Sequence, residues 1–97
     1  MKYYKWFWDE PLGGEFDTWG TSTYFVEINE NLHALRQIEV YENGNVLFYD
    51  KNHIWDDYGM LCDKRIDKDD MQEFAITQTE FEQTWNSKIP MNRESKK

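Results

Sequence analysis

LRQIEVYENGNVLFYD, residues 35–50, decides the fold, because Asn43-Gly44 sits between two apolar runs of strand length. An Asn-Gly pair supplies the two left-handed positions of a type I′ turn, and such a turn joins antiparallel strands through a two-residue loop. That geometry predicts Val40 opposite Leu47 and Ile38 opposite Tyr49 on one face. On the other face it sets Tyr41 opposite Val46 and Glu39 opposite Phe48. Both faces are then partly apolar. One must pack on the domain's own core, and the other needs cover from a helix, a second sheet or a partner, since a bare apolar sheet face associates.

Outward from the hairpin, KYYKWFWD at residues 2–9 has the composition of a first strand, with Tyr3, Lys5 and Phe7 on one face and Tyr4, Trp6 and Trp8 on the other. Residues 10–21 contain Pro11, Gly13, Gly14 and Gly20, a density of breakers that predicts a long loop, within which Phe16 and Trp19 need shelter. TYFVEIN at residues 23–29 alternates again and turns at Glu30-Asn31 into a strand from about Ala34, so strands two, three and four form a meander. A short further strand is expected around residues 58–62. Asp67 is placed to cap one helical turn through Asp69, Asp70 and Met71. Thr77-x-x-Glu80 is a capping-box pattern, and Phe81 and Trp85 lie four apart on one face of the helix it opens, which Ile89-Pro90 ends. The expected class is α+β: an antiparallel β-sheet of four to five strands with a short C-terminal helix packed on it. Residues 1–89 read as one domain and residues 90–97 as a flexible polar tail.

Ninety-seven residues suffice for one modest core. The net charge is −8, and the last five residues hold three of the eleven basic side chains, so the remainder is more acidic still. Such a field repels phosphate backbones and anionic lipid, which disfavours direct nucleic-acid or membrane binding and favours a basic partner. No apolar run approaches the roughly 20 residues of a membrane helix, and the N-terminal residues do not resemble a signal segment, so a cytoplasmic location is expected. Cys62 is alone and forms no intramolecular disulfide; it reads as a small buried or half-buried residue.

The sequence offers little for catalysis, and an enzyme is not expected. Cys62, His33 and His53 lie too far apart in sequence for a structural zinc pattern, and neither a metal nor another cofactor is expected. Asp67, Asp69 and Asp70 suggest a calcium loop, but Met71 and Gln72 stand where such a loop needs an oxygen ligand and a glycine, so solvated charge at a helix start is the better reading. The serines and Cys62 lack a nucleophile context, and Gly13-Gly14 lacks the lysine of a phosphate loop. The positive signal is for binding. Five Trp, six Tyr and six Phe exceed what a core of this size hides, and Trp and Tyr are favoured as interface anchors. Trp6, Trp8, Phe48, Phe81 and Trp85 are assigned to packing; Trp19 and Trp55, beside Asp17, Asp56 and Asp57, are candidates for an interface.

As an ordered set, the aromatic first strand ending in Trp8 and Pro11, Phe25-Val26-Glu27-Ile28, residues 35–41 before Asn43-Gly44, and Ile76-Thr77-x-x-Glu80-Phe81-Glu82 to Trp85 resemble a family of small acidic β-rich domains of unknown function. That family is found among bacterial polymorphic-toxin immunity proteins. The pattern covers about residues 3–86 and departs from the family at residues 10–21 and 50–73. What it implies is an immunity protein, of the contact-dependent growth inhibition type, that binds and neutralises a bacterial toxin in the cytoplasm, a nuclease foremost. An acidic aromatic surface would cover the toxin's basic substrate-binding site. The expected contacts are Asp50, Trp55, Asp56, Asp57 and Tyr58, with Glu15, Asp17 and Trp19 as a second cluster; Arg36 and Glu39 are assigned structural roles. The partner would be a basic RNase or DNase domain, with the chain itself a monomer or a weak homodimer paired through its first strand. The alternative is a non-enzymatic acidic adaptor domain for another basic protein.

Overall fold

A computed structural model describes residues 1–9 and 13–92; the first three residues of the expected loop, 10–12, and the last five of the expected tail, 93–97, lie outside the described residues. The fold is α+β. Strands β1 (Lys2–Trp8), β2 (Ser22–Ile28), β3 (Ala34–Tyr41), β4 (Val46–Asp50) and β5 (Ala75–Ile76) form one antiparallel sheet in the order β4-β3-β2-β1-β5. The meander therefore includes β1 as well as the three strands expected. β5 covers β1 only at Tyr3 and Tyr4. The helices are α1 (Lys68–Met71), capped by Asp67, and α2 (Gln78–Ser87), where the Thr77 hydroxyl accepts from the Glu80 amide at 3.1 Å.

The hairpin forms, but its turn is not type I′. Gly44 alone in the turn has a positive φ, 98°, and Tyr41 N bonds Asn45 O at 2.8 Å, closing a three-residue loop of Glu42, Asn43 and Gly44. Three hydrogen bonds hold it there. The Asn43 side chain accepts from the Asn45 amide, and the Glu42 and Asn43 amides donate to the carbonyls of Thr21 and Trp19. The extra residue shifts the register by one: Val40 pairs with Val46, Ile38 with Phe48, Glu39 with Leu47 and Gln37 with Tyr49. A one-residue shift exchanges faces. Ile38, Val40, Val46 and Phe48 thus share one face, while Gln37, Glu39, Tyr41, Leu47 and Tyr49 share the other.

Helix α2 covers the first face. Phe81 is fully buried against Tyr3, and Trp85 stacks on Phe48 with ring centroids 4.3 Å apart. Arg36 ties the helix to the sheet. Its guanidinium bonds both oxygens of Glu27 (2.7 and 3.0 Å) and both of Glu82 (3.1 and 2.6 Å), and lies 4.9 Å from the ring centroids of Phe81 and Trp85. Tyr3 donates to Glu27 at 2.9 Å. The bond from Arg36, foremost, holds the Glu27 carboxyl below its usual range, and the bond to Glu27 raises the Arg36 pKa.

Irregular chain covers the second face. At one end a 3₁₀ helix, Gly14–Trp19, falls inside the stretch expected as loop and seats Phe16 and Trp19; at the other, Met71 and Phe74 pack near Tyr4 and Val26; between them lie Tyr58, Leu61, Cys62 and Ile66. The strand expected around residues 58–62 does not form. A single bridge, Trp55 with Met60, takes its place, because the Gln37 side chain rather than a neighbouring strand bonds the Met60 carbonyl (3.1 Å) and the Cys62 amide (2.9 Å).

Gly20 ends the 3₁₀ helix at φ 82°, and a Cβ there would collide with the Glu42 carboxylate and lie 2.8 Å from the Glu42 Cβ. Gly20→Ala should destabilise the fold by about 1–3 kcal/mol, combining left-handed strain with that clash. Urea denaturation checks it; an unchanged midpoint would mean this loop does not hold the turn.

Candidate protein-binding surface

The two acidic clusters of the sequence meet in space through their aromatic residues. Phe16 and Trp19 from the 3₁₀ helix pack on each other (5.1 Å) and both on Tyr58 (5.6 Å each), while Trp19 meets Tyr41 edge-on at 5.0 Å. Glu15 and Asp17, which flank Phe16 in the chain, stand exposed, as do Trp55 and Asp57 on the segment that carries Tyr58. Trp55 is 72% exposed, at the shoulder of a tight turn in which Asp56 N bonds Gly59 O and Leu61 N bonds Ile54 O.

Four of the expected contact residues serve the fold. Trp19 is only 9% exposed and belongs to the core cluster with Tyr41, Leu47 and Tyr49. Tyr58 is half-buried as the link between the two segments. Asp56 is the hub of its turn. Its Oδ1 accepts from the Tyr49 hydroxyl (2.8 Å) and from the amides of Tyr58 (2.9 Å) and Gly59 (3.2 Å), while its Oδ2 meets His53 Nε2 (2.8 Å) and Asn92 Nδ2 (2.9 Å). Burial works to raise the Asp56 pKa, but these donors outweigh it and bring it down to about 2. Asp50, half-buried at the end of β4, turns the chain through a bridge with His53 and accepts from the Asn52 amide. Glu15, Asp17, Trp55 and Asp57 remain as the outward-facing part. Trp8, assigned to packing, is 48% exposed beside Phe7 at 62%.

Asn92 escaped sequence reading. Its side-chain amide pairs with both the N–H and the carbonyl of Phe48 (3.0 Å each), standing in for a neighbouring strand on the open edge of β4 before reaching Asp56. Met91 N bonds Val46 O at 2.8 Å, so ordered contact with the sheet extends to residue 92. A lone Asn in a polar segment gives no sequence signal for this. Among the described residues, no three His, Cys, Asp or Glu side chains converge in a way that could hold a metal ion, and no helix is long and apolar enough to cross a membrane.

No family model, curated protein or solved structure matches the chain. The fold and the surface define it physically: a small α+β domain with exposed carboxylates and an exposed indole on two segments joined through Phe16, Trp19 and Tyr58.

Proposed function

We propose that this chain is an immunity protein, without catalytic activity of its own, that binds a basic bacterial toxin domain in the cytoplasm. A nuclease is the foremost candidate, neutralised by occlusion of its substrate-binding site. The observation that carries the binding role is the joining of two acidic segments through Phe16, Trp19 and Tyr58, with Glu15, Asp17 and Asp57 exposed on them and the Trp55 indole left 72% exposed. An exposed Trp on a rigid support is a fitting interface anchor, since little side-chain entropy is lost on docking. Exposed acids in a chain of net charge −8 steer a basic partner and suppress competitors that carry phosphate. The toxin assignment draws on the resemblance of the strand and helix motifs.

Reversing Asp17 and Asp57 to lysine tests the surface, because both side chains are exposed and neither carries the fold. The double variant should keep the wild-type denaturation midpoint. Its association rate with the proposed toxin partner should fall about 10- to 100-fold at low salt, with a shallower salt dependence. An unchanged rate in stopped-flow fluorescence would place the contact elsewhere.

A further inference from the structure

Across the sheet face opposite α2, Trp6, Tyr24, Glu39 and Leu47 are directly paired neighbours, one from each of β1 to β4. Glu39 is 5% exposed. Its Oε1 accepts from the Tyr41 hydroxyl at 2.5 Å and its Oε2 from Gln37 Nε2 at 2.7 Å, both neutral donors. Among the described residues no Lys, Arg or His forms an ion pair with it. A buried carboxylate in that position is costly unless a cation joins it; burial accordingly raises its pKa.

Glu39 and Gln37 line a cavity of about 310 Å³, together with Trp6, Tyr24, Tyr58 and Met60. Trp6 and Tyr24 are stacked, with centroids 5.5 Å apart and planes within 8°. Carboxylate and aromatic faces together are the set that recognises a guanidinium, which is planar, forks onto carboxylate oxygens and stacks on rings. The chain uses this set itself on the opposite face, where Arg36 lies among Glu27, Glu82, Phe81 and Trp85. Tyr58 connects the cavity to the acidic surface, since the same side chain packs under that surface against Phe16 and Trp19.

We propose that this cavity receives an arginine side chain of the basic protein partner, its guanidinium bonding Glu39 and stacking on the Trp6–Tyr24 pair. The occupant rests on the function proposed above; the chemistry of the cavity does not. Tyr41 and Gln37 each give Glu39 one neutral donor and Tyr24 a further hydrogen bond, which leaves one of the four acceptor positions of the carboxylate for a guanidinium N–H without displacing Tyr41 or Gln37. The cavity is at the small end of ligand sites, suited to one side chain rather than a cofactor.

The test titrates n-butylguanidinium chloride into the full chain at constant ionic strength, following the Trp6 indole and Gln37 amide signals by NMR. Saturable shifts at both are expected, weakened about tenfold or more in Glu39→Gln. Because that variant also alters the network with Gln37, Trp6→Leu is the second arm; it leaves the Glu39 hydrogen bonds untouched and should weaken the probe several-fold through lost stacking. No saturable shift in the wild type, or equal binding by both variants, overturns the proposal. With the proposed toxin partner, Glu39→Gln should lower affinity at least about tenfold; unchanged affinity with an intact fold overturns the assignment of the cavity to the partner. A chain that takes the probe but not the toxin domain removes the proposed function and that occupant, while the guanidinium chemistry stands.

Discussion

Arg36→Ala should cost the fold about 3–5 kcal/mol, the range for removing one member of a buried ion pair and leaving its partner charged. Glu27 is the residue left behind. It is buried on the sheet, with the Tyr3 hydroxyl as its remaining hydrogen-bond donor once Arg36 is gone. The guanidinium also supplies flat surface against Phe81 and Trp85, so its loss loosens α2 from the sheet as well as breaking the ion pair. Arg36→Lys should fall between alanine and wild type, since it restores charge without the fork or the stack. Urea denaturation followed by Trp fluorescence gives the result. A loss below about 1 kcal/mol would mean the pair is of the weak, surface kind.

Asp56→Ala is expected to cost about 2–4 kcal/mol, because several donors, including the hydroxyl of fully buried Tyr49, lose a charged acceptor together. The effect should carry a pH signature. In the folded chain the Asp56 pKa falls from 3.8 to about 2. A carboxyl depressed in this way stabilises the fold above its ordinary pKa, and the contribution fades as pH falls through the window between about 4 and 2. Asp56→Ala should therefore differ most from wild type at neutral pH and converge on it in acid. Glu27 is depressed as well, so some acid sensitivity persists in the variant. A constant difference down to pH 2 would show that the cost is packing rather than charge. The same variant separates support from contact: its effect on partner binding should follow the loss of fold, unlike that of Asp17 and Asp57.

Strands β1 to β4 were legible because aromatic and β-branched runs at residues 2–9 and 23–29 and an Asn-Gly between apolar runs leave little choice of element. Helix α2 was legible from Thr77, Glu80, Phe81 and Trp85 for the same reason. The hairpin register was not, since Asn43-Gly44 fits a two-residue and a three-residue loop equally. The decision was made by Thr21 and Trp19, whose carbonyls hold the Glu42 and Asn43 amides from outside the hairpin. That choice placed Glu39 on the face away from Phe48, and so concealed the cavity. At the surface, Asp57 and Asp56 are adjacent and chemically alike, yet one faces outward and the other takes the bonds that close the turn. Sequence spacing does not separate them, because the donors that single out Asp56 come from Tyr49, His53 and Asn92 on three different segments.

The central claim, that this acidic surface neutralises a toxin, is tested most directly by growth of cells producing a candidate toxin domain from a neighbouring gene, with and without the chain, scoring RNA and DNA integrity in the same cultures. The account predicts that growth is restored with nucleic acids intact, and that Asp17→Lys with Asp57→Lys weakens the rescue although the protein stays folded. Continued death in the presence of soluble, folded wild-type chain would contradict it and leave an acidic adaptor domain for some other basic protein.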